Sequence, residues 1–162
     1  MWGRPKKMAI EAGSRAPSFR LKDLTGADVA LDEILAKGPA LLAFYKISCP
    51  VCQLAAPYLE RLTAGSSPQI VGISQDDAAA TQGFNQRFGV TFPTLLDSSK
   101  AGYPASNAYG ITNVPTLFVV EPDGQIAKVI AGFSKRDLEE LGARAGVQTF
   151  RAEENVPEWK AG

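Results

Sequence analysis

The chain contains no histidine. That absence removes Ser-His and Cys-His nucleophile pairs, histidine proton shuttles and zinc sites of the mixed Cys/His type, and with them much of ordinary hydrolase chemistry. Neither sign of charge is in excess, because 17 basic and 17 acidic side chains cancel over 162 residues. Nothing in that balance draws the protein to nucleic acid or to an anionic membrane. The one basic cluster, Arg4-Pro5-Lys6-Lys7, stands at the extreme N-terminus, where a solvated tail is expected. Long apolar runs are missing as well, and no stretch approaches the roughly 18 to 20 residues of a membrane span. Met1 to Ser18 lacks the apolar centre of a signal peptide, since Met8-Ala9-Ile10 is followed at once by Glu11. As it stands the sequence is expected to be cytoplasmic, or periplasmic if a targeting segment has been removed. Cysteine is scarce: Cys49 and Cys52 are the only two, and a pair three positions apart cannot staple a domain this large. They look like a site.

What is present is the composition of a soluble globular domain, 45% hydrophobic and 21% charged, long enough to bury a core without cross-links. Phe19 to Leu24 alternates apolar and polar residues, Thr25-Gly26 makes a turn, and Val29-Ala30-Leu31 resumes, which predicts an N-terminal β-hairpin. Asp32 is expected to cap a short helical turn through Leu35. Ala40 to Tyr45 is continuously apolar, the pattern of a strand buried on both faces. Val51, Leu54, Ala55, Tyr58, Leu59 and Leu62 recur at three and four, so an amphipathic helix is expected from Pro50 to about Ala64, kinked at Pro57. Strands are expected at 69–74, 92–97 and 116–120, a turn at 122–124 leading into 125–131 to make a second hairpin, and a helix carrying Phe84 and Phe88 capped by Asp76 or Asp77. A helical turn is read at 106–109. Ser134 and Asp137 resemble a capping box for a last helix carrying Leu138, Leu141 and Ala145. The expected organisation is a tail over 1–15, one α/β domain over 16–147 and a polar C-terminal tail over 148–162.

Residues at i and i+3 on the first turn of a helix share a face, roughly 5 to 6 Å apart, a separation compatible with a disulfide. Cys49 follows a buried strand and precedes the helix, so it is expected at the N-cap, where unpaired N–H groups and the positive end of the dipole favour a thiolate. Pro50 fits the first helical position, which needs no donor. Cys52, one turn in, is expected to be the more buried. The natural division is Cys49 as attacking nucleophile and Cys52 as resolving thiol. The bland alternatives are two small buried hydrophobes or half of a metal site, but the two further Cys or His ligands that a metal would need are missing.

From about Ala16 to Gly146 the chain resembles the thioredoxin-like proteins of the TlpA and AhpC/TSA group. Ala16-Pro17-Ser18-Phe19 is similar to the group's opening, Ala40 to Tyr45 to its central strand, Cys49-Pro50-Val51-Cys52 to its redox motif, and Pro57 to its helix-kinking proline. Val114-Pro115-Thr116 resembles its cis-proline loop, Glu121 to Ile126 its following hairpin, and Val71 to Asp97 its extra strand and helix. The resemblance implies a thioredoxin-like fold, a central mixed β-sheet flanked by helices. It also implies a cis Pro115 packed against the redox pair and a Val114 backbone that pairs with an incoming substrate chain. Three departures stand out. Ser48 replaces the usual tryptophan before the first cysteine. Ala43 stands where thioredoxins carry a buried acid, so another group or a water must take the resolving thiol's proton. Lys46 stands where peroxiredoxins have a threonine or serine, which counts against peroxidase chemistry.

The expected function is therefore reversible exchange between a Cys49-Cys52 disulfide and protein thiols or disulfides, with an upstream electron donor or acceptor and no organic cofactor or metal. A monomer is expected. The competing readings are a peroxiredoxin-like thiol peroxidase and a redox-inert binding module on the same fold. The direction of exchange depends on the dithiol's potential relative to its compartment.

Overall fold

A computed structural model describes residues 9–162. The basic cluster Arg4 to Lys7 and Met8 lie outside the described residues. In chain order the elements are β1 (Arg20–Asp23), β2 (Asp28–Ala30), α1 (Leu31–Leu35), β3 (Ala40–Tyr45), α2 (Pro50–Leu62), β4 (Gln69–Ser74), α3 (Ala78–Phe88), β5 (Thr94–Leu96), a 3-10 turn (Ser99–Ala101), α4 (Pro104–Ala108), β6 (Thr116–Val120), β7 (Ile126–Ala131), β8 (Phe133–Ser134), α5 (Lys135–Ala145) and β9 (Trp159–Lys160).

The apolar run of β3 decides the architecture. Successive side chains of a strand point to opposite faces, so Leu41, Ala43 and Tyr45 enter one core cluster while Ala40, Leu42 and Phe44 enter the other. The first cluster is filled by α2, α3 and α5; the second takes Ile34 and Leu35 of α1 with Ala105 and Tyr109. The seven-stranded sheet has the order β2-β1-β5-β4-β3-β6-β7. Strands β3, β4 and β5 run parallel, and β6 is antiparallel to β3. It is the central mixed sheet flanked by helices, with the N-terminal hairpin at one edge, that the sequence led us to expect.

Two local expectations are corrected. Asp32 does not cap α1: it lies within the first turn, and Ala30, extended at φ −99° and ψ 149°, is the N-cap without a side-chain hydrogen bond. Strand β2 runs straight into the helix, and Leu31 has to be its first residue to reach the core. The turn expected at 106–109 begins earlier, at Pro104, and its first amides are held by the buried Asp97 carboxylate, which accepts from the N–H groups of Ala105 at 2.9 Å and Ser106 at 2.7 Å.

The segment 148–162 also differs from a free polar tail. Thr149, Phe150 and Val156 are buried, and Phe150 and Val156 belong to the α2–α5 core cluster. Glu154 forms a two-pronged ion pair with Arg61 of α2, at 2.6 and 2.8 Å, and Arg61 also donates to the Thr149 carbonyl at 2.8 Å. Beyond them β9 pairs antiparallel with β8, Phe133 opposite Lys160 and Ser134 opposite Trp159. The apolar anchors are too few to show against the charged residues around them.

Candidate active site

The site lies where the end of β3 meets the start of α2. Cys49 is the N-cap of α2, extended at φ −85° and ψ 115°, and its sulfur accepts the Cys52 N–H at 3.2 Å. Pro50 occupies the first turn, where an unpaired N–H would otherwise need a partner. The helix continues through Pro57, which is exposed, and buries Cys52, Ala55, Ala56, Leu59 and Leu62. The two cysteines thus share one turn in different surroundings. Both are free thiols; Cys49 is half-buried, whereas Cys52 is 2% exposed. Burial pushes the Cys52 thiol well above its ordinary value, and the adjacent Cys49 sulfur pushes the same way.

The cis-proline loop closes the other side. The Val114–Pro115 peptide bond is cis. The Cys49 thiol donates to the Val114 carbonyl at 3.2 Å, which joins two segments 65 residues apart. Pro115 is buried, and with Ala43, Tyr45, Cys52, Ala55 and Phe92 it lines a gap of about 10 Å³ beneath the motif. The gap is almost wholly apolar, so the Ala43 position offers no proton acceptor to Cys52. Val51 is half-buried between the cysteines, while Pro50, Ser48 and Lys46 face solvent.

Two side chains that the sequence did not single out for the site fix its approach loop. Asp76 Oδ2 accepts the Ile47 N–H at 2.8 Å, and Gln53 Nε2 donates to the Ile47 carbonyl at 3.0 Å, so the two peptide groups flanking Ile47 are each held by a side chain. Sequence had offered Asp76 and Asp77 as alternative caps. Asp77 takes that role, accepting from Ala80 N–H at 2.8 Å. Two acids before one helix were the available signal that one of them does something else. Beneath the loop, Tyr45 donates to Asn85 at 2.8 Å and Asn85 to Thr94 at 3.0 Å, a buried polar chain. Burial raises the Tyr45 phenol to about 12.

Residues 12–129 match the family model of the AhpC/TSA family. The chain belongs to the AhpC/TSA family. Among curated members it is 32% identical over 140 residues to the thiol-disulfide oxidoreductase ResA of Geobacillus thermodenitrificans, covering 83% of this chain and 78% of that one. Two solved structures extend the likeness. A putative thiol:disulfide interchange protein DsbE from Chlorobium tepidum superposes with a TM-score of 0.72 at 24% identity, over 84% of this chain and 96% of the other, and speaks for the fold alone. Peroxidoxin BcpB from Mycobacterium tuberculosis gives 0.67 at 25% identity, over 90% and 99%. Within the AhpC/TSA family this chain is thus a thioredoxin-like oxidoreductase of the thiol-disulfide class. Among its described residues no helix is long and apolar enough to cross a membrane.

Proposed function

We propose that the protein exchanges disulfides with partner polypeptides through Cys49 and Cys52, in distinct roles. The observation that supports this most is the contrast within one helical turn: Cys49 caps α2 at the surface beside the Val114 carbonyl, and Cys52 sits buried beneath it. In the reductive direction the Cys49 thiolate attacks one sulfur of the partner's disulfide and forms a mixed disulfide, and the other partner sulfur leaves. Cys52 then attacks the Cys49 sulfur, the Cys49–Cys52 bond forms, and the second partner sulfur leaves. The partner gains two electrons and its two sulfurs take up two protons; the protein loses the same. The oxidative direction is the reverse. Pro50 and Val51 form the surface between the cysteines, the Val114 backbone pairs with the partner's extended chain, and Pro115 holds the loop against the pair. Among the described residues no acceptor meets the Val114 N–H, which leaves that donor unpaired for such pairing.

We take the protein to act as a monomer, reset by an upstream donor or acceptor. Its potential against the poise of its compartment sets the direction of exchange: about −270 mV suits a reductant and about −120 mV an oxidant. The test is mass analysis after mild reduction and alkylation of the native protein. Two added alkyl groups are expected, against none before reduction of the oxidised form; failure to gain them contradicts the proposal. The likeness to a peroxidoxin makes the peroxidase reading worth a direct arm. With Lys46 three residues before Cys49, peroxide is expected to oxidise Cys49 no faster than an ordinary thiolate. Oxidation orders of magnitude faster would favour the peroxidase.

A further inference from the structure

The edge at which a partner chain would dock already carries a chain. Lys135 N–H donates to the Glu158 carbonyl at 3.0 Å, and the antiparallel register then sets Ser134 opposite Trp159 and Phe133 opposite Lys160. In such a ladder bonded pairs alternate, so Phe133 and Lys160 form the next bonded pair after Lys135 and Glu158. The segment continues past Gly132, where a side chain would strike the Lys160 carbonyl, and arrives at the cis-proline loop. There a side chain on Gly162 would strike the Val114 carbonyl oxygen and meet Val114 C at 2.8 Å and Pro115 N at 3.3 Å. The carbonyl touched by Gly162 is the same one that accepts the Cys49 thiol.

The segment is held at its base and loose at its tip. Phe150 and Val156 are buried, and Glu154 is clamped by Arg61. Past Pro157 every residue is exposed; Trp159, at 61%, is the exposed large hydrophobic of the described residues. The pairing there is two residues long on each strand. A segment with so few contacts opens at a small fraction of the cost of unfolding.

We propose that residues 158–162 stand in for a partner chain at the docking edge, and that an extended polypeptide carrying the disulfide binds by displacing them. This rests on the reading that Val114 receives the partner backbone. The covered edge favours partners that supply backbone pairing in exchange and disfavours small disulfides that supply none. It therefore selects for polypeptide substrates.

The test uses the full chain with Cys52→Ser, which halts exchange at the mixed disulfide, and two independent releases. Lys160→Pro removes the N–H of a bonded pair, and Gly162→Val cannot fit against the Val114 carbonyl. Each is combined with Cys52→Ser and reacted with a disulfide-bonded peptide and with 5,5′-dithiobis(2-nitrobenzoate). A several-fold faster reaction with the peptide in both variants, and a smaller change with the small disulfide, is expected. Hydrogen exchange of segment 158–162 is followed in the unaltered Cys52→Ser chain before and after trapping, and its protection is expected to fall in the complex. Unchanged peptide rates in both variants, or unchanged protection on trapping, overturn the proposal while leaving the exchange function standing. No mixed disulfide from any form with either reagent overturns both.

Discussion

Of the helix starts that hold an acceptor side chain on their first N–H groups, two lie in opposite surroundings. At α4 the Asp97 carboxylate takes the amides of Ala105 and Ser106, and Asp97 is wholly buried. At α2 the Cys49 sulfur takes the amide of Cys52, at the surface and beside the cis-proline loop. The backbone offers both the same thing, unpaired donors and the positive end of a dipole. Solvent access separates them. A buried acceptor satisfies the helix and closes a corner of the core, whereas an acceptor within reach of a partner caps the helix and is still free to react. The helix start is thus a common device that becomes a reactive site only where the chain leaves it open.

The largest expected effect breaks the reactive member of the pair. Cys49→Ser keeps an oxygen able to cap α2, so the melting transition should stay close to that of the reduced parent while disulfide exchange drops to background. Retained exchange would remove Cys49 from the central role. The complementary change is Asp97→Ala, which orphans two buried amides and should lower stability by about 1 to 3 kcal/mol in a denaturant melt, with exchange per folded molecule unchanged. A loss of exchange at constant stability would mean that the two corners are not independent.

A smaller effect is expected from Cys52. Its thiol is raised by burial above the ordinary 9.0, so the folded state holds its proton more tightly than the unfolded state does. That contribution is complete below about pH 9 and is lost as pH rises toward the raised value. Tyr45, raised from 10.0 to about 12, acts in the same sense from about pH 10 upward. Melts of the reduced protein between about pH 8 and 10 should therefore lose stability, and Cys52→Ser should flatten the first part of the loss. Equal slopes in both proteins would show that the Cys52 thiol is not held neutral by the fold.

The central strands and α2 were legible because burial on both faces, or on one helical face, leaves a periodic trace in the residues themselves. Strand β3 begins and ends where its apolar run does, and β4 and β6 extend theirs by a single polar residue, at both ends of β4 and at the start of β6. The cysteine pair was legible for a different reason, a spacing that matches one helical turn after such a run. What stayed hidden depends on partners far away in the chain. Arg61 meets Glu154 across 93 residues, and Ile47 meets Asp76 across 29. A polar segment gives no local sign that Phe150 and Val156 anchor it, and nothing near residue 162 announces the carbonyl of Val114. The start of α4 was readable in principle, since a proline at the first helical position is a known signal, but the helix is five residues long and shows no period.

The division of labour between the two cysteines is tested most directly by trapping. Cys49→Ser and Cys52→Ser are each incubated with a disulfide-bonded peptide and resolved by non-reducing electrophoresis. Cys52→Ser should accumulate a covalent complex that a reductant releases, because the half-buried Cys49 attacks and nothing beneath it can resolve the bond. Cys49→Ser should give none, since the remaining thiol is buried and held protonated. Equal trapping by the two variants would contradict the account.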